Sequence, residues 1–306
     1  MLNQHIALVP EAGGVNASEL ARVSAALQKQ LNRDLAAAWG ISATIDAFPY
    51  LEDVPLGYWP IVVTLCELGD EAGVQIDRSA QPYAQVEMSP DWSVHASRAC
   101  LDMLVNPFGR RMIAGSSPRP DQGPVEFLVE VCGPCTGGDA SYVIDDILVS
   151  DFCTPAYWGS SVSPGNSYSF AGTIQAAQHV SAGGHLIWHD PVSDNWWLRH
   201  HVADALVDTK LGPIDGRVSS VLEAVRARAP HSLSAAKMTI EAFEARLGVR
   251  RQHALQASQF QAHRLRATLG SPRRPWEVPD DPGKSPAGGG GRRTGDAHRQ
   301  PRCAYR

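Results

Sequence analysis

The chain has 306 residues, 43% of them apolar and 19% charged, with a formal net charge of −5. This is ordinary globular composition, and it excludes a collagenous, a disulfide-framework or a wholly disordered protein. The acidic balance supplies no global basic field of the kind non-specific nucleic-acid binding needs.

No apolar run approaches the roughly 18 residues of a membrane helix. The N-terminus MLNQHIALVPEAGG lacks the basic start and long apolar stretch of a secretion signal. A cytoplasmic protein without a membrane partner is therefore expected. Six cysteines (Cys66, Cys100, Cys132, Cys135, Cys153 and Cys303) are too few to staple a chain of this length and default to thiols in a reducing compartment.

In chain order, His5 to Val9 is a short apolar run that predicts a strand. Asn16 with Glu19 three residues later has the capping-box pattern. Leu20, Val23, Leu27, Leu31 and Leu35 follow at helical spacing, and Gly40 supplies the stop. Residues 42–48 alternate as a half-buried strand, and 59–66 form a continuous apolar run typical of a central strand. Residues 83–88 predict an edge strand. Ser89, Pro90 and Asp91 then signal the start of a helix over 92–105. From 125 to about 201 the pattern changes to short strands (125–131, 141–152, 168–174 and 185–201) separated by Gly, Pro, Ser and Asn turns. Helices are predicted over 215–228, 232–247 and, more weakly, 249–269, the last two as a helical pair.

Composition breaks after Gly270: residues 271–306 hold 6 Pro, 6 Gly, 8 Lys or Arg and 4 Asp or Glu, the signature of a disordered tail. Removing the tail's net +4 leaves −9 on residues 1–270. Nucleic acid is not an expected partner beyond weak contacts of the tail's arginines. The expected fold is α+β: residues 1–120 a mixed sheet with two helices, 121–212 a β-rich subdomain, 213–270 C-terminal helices, and 271–306 the tail.

The order strand, helix, strands, edge strand, helix is that of the N-terminal half of a zincin-type metallopeptidase, whose second helix carries His-Glu-x-x-His. Ligands at i and i+4 share a helix face, and the Glu activates the metal-bound water. Here the corresponding segment is Ser97-Arg98-Ala99-Cys100-Leu101-Asp102-Met103-Leu104-Val105-Asn106-Pro107. It resembles a bacterial and phage-associated family, without an established reaction, whose pattern is S-H-E-x-L-E-M-L-x-D-P. The resemblance extends over roughly residues 15–200. It takes in Ala37-Ala38-Trp39-Gly40, Glu130-Val131-Cys132 with Pro134-Cys135, Val149-Ser150-Asp151-Phe152 with Thr154-Pro155, and Gly183-Gly184 with Trp188-His189-Asp190-Pro191.

The resemblance implies a metal site, and this chain departs from it at each key position. Arg98 stands for the His, Ala99 for the catalytic-looking Glu, Asp102 for the second Glu and Asn106 for the trailing Asp. A guanidinium has no free lone pair and stays protonated, so Arg98 cannot ligate zinc. Arg98 and Asp102, four apart, can pair instead and place a fixed positive charge where the metal charge would sit. The expected function is a non-catalytic or weakly active metallopeptidase-like protein, a pseudoenzyme without catalytic residues. It would bind a peptide or protein by strand addition in the groove between the 83–88 strand and the 92–105 helix, with no cofactor. One alternative is a metal-dependent hydrolase, with zinc held by an unorthodox set drawn from Asp102 and the groove candidates Glu130 and Asp151.

A second alternative is thiol–disulfide exchange, since Cys132-Gly133-Pro134-Cys135 has the letters of the thioredoxin motif. That chemistry needs the first Cys at a helix N-terminus, whereas a Gly-rich turn follows here. His185 and His189 sit four apart on a predicted strand, too far to share one metal. His95, His200-His201, Asp145-Asp146 and Asp190 with Asp194 read as helix, turn and surface residues, and Trp188, Trp196 and Trp197 as core aromatics or a ligand platform.

Overall fold

A computed structural model describes residues 4–11, 15–65, 73–77, 80–136, 140–159, 167–202, 205–215 and 221–226, together with Gln259. The fold is α+β. Sheet one has strands β1 (Gln4–Pro10), β2 (Ala43–Ala47), β3 (Tyr58–Thr64), β4 (Gly73–Ile76) and β5 (Pro82–Glu87), in the order β2-β1-β3-β5-β4. All neighbours are parallel except β4, which runs antiparallel to β5. Sheet two has β6 (Met112–Ser116), β7 (Pro124–Leu128), β10 (His185–Asp190), β11 (Asn195–Val202) and β12 (Ala205–Gly212), in the antiparallel order β12-β11-β10-β7-β6. Between them in sequence lies a hairpin of β8 (Ser141–Ile144) and β9 (Ile147–Ser150).

The continuous apolar runs of β1 and β3 follow from burial on both faces of sheet one. Ile6 and Leu8 point into the main core with Leu20, Leu27 and Leu101. Ala7, Val9 and Val62 point the other way, onto Leu51, Val54 and Tyr83. Helix α1 (Ala17–Lys29) starts where the Asn16 side chain accepts the Glu19 amide at 2.8 Å, as the capping pattern predicts. It runs through a π-helical stretch, Gln30–Leu35, into α2 (Ala36–Trp39) and stops at Gly40, whose φ of +65° is the left-handed cap a glycine accepts at little cost.

The π-helical stretch carries polar side chains inside the core, each with a partner. The Gln30 amide donates to the Ser150 carbonyl (2.9 Å) and the Tyr142 hydroxyl (3.1 Å), while its oxygen accepts from Ser97 Oγ (2.7 Å). Ser97 Oγ in turn accepts the Ser150 amide (3.0 Å), and Tyr142 donates to Asp34 (2.7 Å). Burial, reinforced by Asp34, raises the Tyr142 phenol above its ordinary range. This network fastens the β8–β9 hairpin to both long helices, the second being α3 (Trp92–Val105), which packs against β3, β4, β5 and β9.

Several expectations need correction. Residues 83–88 do not form an edge: β5 is paired on both sides, and the edge is β4, a short stretch whose polarity hid it. Residues 168–174 form no strand, only a single bridge from Ser169 to Cys153. Strands β6 and β12 were not expected, and sheet two takes β6 from before position 120 and β7 from after it. The main core also crosses that line, running from Ile6 to Trp188. Residues 1–260 form one compact unit. Of the predicted C-terminal helices, 215–228 contains α4 (Val221–Arg226), whose Val225 packs on Leu128, Ile187 and Leu198. The predicted helices 232–247 and 249–269, apart from Gln259, and the tail 271–306 lie outside the described residues. No helix among the described residues is long and apolar enough to cross a membrane.

Candidate functional site

Helix α3 carries the four positions where this chain departs from the metal-site pattern. Arg98 is 8% exposed, so the helix is not a solvated surface element. Its guanidinium Nη2 donates to the Thr136 carbonyl at 3.4 Å, and its buried Nε has no hydrogen-bond partner. Ala99 is packed into the main core. Asp102, one turn on, accepts the backbone N–H of Cys132 at 3.1 Å. Asn106 caps the helix: its oxygen accepts the amides of Arg110 (2.9 Å) and Arg111 (2.8 Å), and its nitrogen donates to the Val129 carbonyl (2.9 Å). Arg98 and Asp102 therefore converge on the 132–136 turn, and Asn106 fixes the chain leading to it.

That turn is a single 3-10 turn over Gly133–Cys135, closed by the Cys135 amide on the Cys132 carbonyl (3.0 Å). Thr136 Oγ1 donates to the Gly133 carbonyl (2.8 Å). Cys132 and Cys135 are wholly buried. Burial, with Asp102 adding to it, pushes the Cys132 thiol well above its ordinary value, and Arg98 opposes this only in part. Thioredoxin-like exchange needs a low thiol pKa at the N-terminus of a helix. Here β8 begins at Ser141, which leaves no room for one. Cys100 is similarly buried, its thiol pushed up to about 12. Cys66 and Cys303 lie outside the described residues.

The two groove candidates are not in a groove. Glu130 and His185 form a buried pair, Oε2 to Nε2 at 2.9 Å. The glycine at 133 permits this packing, because a Cβ there would lie 3.2 Å from both the imidazole Nε2 and Glu130 Cβ. Asp151 is 0% exposed and organises a loop. Its Oδ1 accepts the amides of Phe152 and Ala171 (2.8 Å each), and its Oδ2 accepts from Thr173 Oγ1 (2.5 Å). The sequence hides this because a buried, fully used carboxylate and a ligand carboxylate look alike in one dimension. Among the described residues, no group of three or more His, Cys, Asp or Glu side chains is arranged to hold a metal ion.

The remaining candidates take structural places. His189 contacts Asp194 (3.0 Å) and Glu126 (3.5 Å), and His95 contacts Asp91 (3.5 Å). Asp145 and Asp146 are the two left-handed residues, φ +48° and +63°, of the β8–β9 turn. Asp190 accepts from Val192 N–H and Ser193 Oγ in the β10–β11 turn. His200, expected at the surface, is buried in β11. Trp188 is buried and stacked on Trp197, which Arg119 covers at 4.4 Å, so the tryptophans present no open platform. A separate polar cavity of about 410 Å³ opens between the starts of α1 and α3 and the hairpin, lined by Glu19, Arg22, Trp92, Asp146 and Leu148 among others. The indole of Trp92 donates to Glu19 at its floor (2.9 Å).

Compared with known proteins, the chain matches no family model, no curated protein and no solved structure.

Proposed function

We propose that this chain is a non-catalytic or weakly active protein of metallopeptidase-like descent that holds a peptide or protein segment along the edge of β4 beside α3. The observation that carries the reading is Arg98. A buried, permanently charged guanidinium occupies the place where the resembling family has its first ligand, and it is turned to the 132–136 turn. The other positions fit the same reading. Ala99 has no proton-accepting group, Asp102 is engaged by the Cys132 amide, and Asn106 serves as a helix cap. The residues present do not fit a zinc ion held in the zincin manner, so no hydrolytic step is assigned to them.

Strand order supports the binding half of the reading. A peptide cannot add to β5, which is paired on both sides, whereas β4 ends the sheet and lies against α3. Strand addition gives affinity through main-chain hydrogen bonds and selects through alternate side chains. A fixed positive charge within α3 favours a segment carrying a carboxylate near that face.

The test is metal content by mass spectrometry on untagged protein purified without chelator, beside the same measurement on Asp102→Ala. No stoichiometric metal is expected in either protein. About one zinc per chain, lost in Asp102→Ala, would overturn the reading and assign a coordinating role to Asp102.

A further inference from the structure

Three wholly buried thiols, Cys132, Cys135 and Cys153, gather where the 132–136 turn meets the chain leaving β9. The C-x-x-C spacing directs attention to Cys132 with Cys135, but the short sulfur contact is elsewhere: Cys135 Sγ lies 3.6 Å from Cys153 Sγ. The backbone on both sides is already pinned. Cys153 donates its amide to the Val131 carbonyl (2.7 Å), and Cys135 donates its amide to the Cys132 carbonyl (3.0 Å). A disulfide needs the sulfurs at about 2.05 Å, so closing the bond asks for an approach of roughly 1.5 Å.

We propose that Cys135 and Cys153 are a disulfide-forming pair, oxidised by a low-molecular-weight disulfide, and that Cys132 remains a thiol beside them. In the first step one thiol of the pair loses its proton, and the thiolate attacks the small disulfide, forming a mixed disulfide and expelling one small thiolate. In the second the other protein thiol, also deprotonated, attacks the mixed disulfide at the protein sulfur and expels the second small thiolate. The protein loses two electrons and two protons, and the small disulfide becomes two thiols. Burial slows this chemistry by withholding the thiolate, yet it also denies the reduced form the thiolate stabilisation that makes some disulfides strongly oxidising. The product is thus slow to form and hard to reduce. It would close a loop across 18 positions and lock the turn on which Arg98 and Asp102 converge to the exit of β9.

The experiment incubates the full chain with oxidised glutathione, quenches by alkylation in denaturant and maps the peptides. The same is done for Cys132→Ser and Cys153→Ser. Expected are a peptide cross-linked through Cys135 and Cys153 in the wild type and in Cys132→Ser, none in Cys153→Ser, and a higher melting temperature for the oxidised wild type than for the same protein after reduction. Mapping of the wild type alone decides the matter if a variant fails to fold. A Cys132–Cys135 cross-link, glutathione adducts without a cross-link, or thiols that oxidise only after a chelator is added would each overturn the proposal.

Discussion

Asp102 and Cys132 are 30 positions apart in the chain and joined by one hydrogen bond, the Cys132 amide to Asp102 Oδ1 at 3.1 Å. The bond links a helix of sheet one to the turn that leads from β7 toward the hairpin. Removing the acceptor in Asp102→Ala strands that amide and is expected to cost about 1–3 kcal/mol. The loss should show as a lower urea midpoint with an unchanged slope. Asp102→Asn keeps an acceptor oxygen and should retain most of the stability. Equal losses in the two variants would mean that charge, rather than this hydrogen bond, is what Asp102 contributes.

Much of the first half of the fold was legible because its signals are local. The capping pair Asn16 and Glu19, the leucines at helical spacing and the stop at Gly40 each act within a few residues, and α1 starts and the helix ends where they say. Strands β1 and β3 announce themselves as apolar runs because both faces of sheet one are covered. Strand β4 has no such signal, being short and polar, so in sequence its neighbour β5 reads as the edge. The site was less legible for a different reason. Glu130, Asp151 and His200 carry ionisable groups, and only tertiary contacts show that these are buried and hydrogen-bonded to His185, to backbone amides and to Thr209. The departures at Arg98 and Ala99 were readable directly, because a guanidinium and a methyl group cannot do the chemistry of an imidazole and a carboxylate in any fold.

His200 gives the protein a pH dependence whose sign follows from its surroundings. Burial holds its pKa below the ordinary 6.5, and the neighbouring His185 and His201 add to the effect. The folded state therefore binds the proton less well than the unfolded chain. His200's contribution to stability is complete above about pH 6.5 and is lost as pH falls from there through the depressed folded value. Unfolding by urea at pH 8 and at pH 5.5 should show the wild type losing more stability on acidification than His200→Gln, which can keep a hydrogen bond to Thr209 (3.1 Å in the wild type). His185, held by Glu130, and His201, held by the Val180 carbonyl, remain in both proteins, so the difference isolates position 200. Identical acid sensitivity would refute this assignment.

Gly184 tests how tightly β10 is seated on the 132–136 turn. A Cβ at 184 would lie 2.5 Å from the Pro134 carbonyl oxygen and 3.0 Å from that of Gly133, and backbone atoms cannot swing aside as a side chain can. The turn is held from the other side as well, since Ser181 donates both its amide (3.1 Å) and its hydroxyl (2.8 Å) to the same Pro134 carbonyl. Gly184→Ala must therefore displace either the start of β10 or the turn, at an expected cost of about 1–3 kcal/mol. Gly123→Ala is the matched control: no atom lies within 4 Å of a Cβ there, and a change within about 0.5 kcal/mol is expected. Because the displaced turn also carries the Cys132 amide, the Gly184→Ala and Asp102→Ala losses should combine to less than their sum in the double variant. Full additivity, measured by urea unfolding of the four proteins, would show that strain at 184 is absorbed in β10 and does not reach the turn beside Arg98.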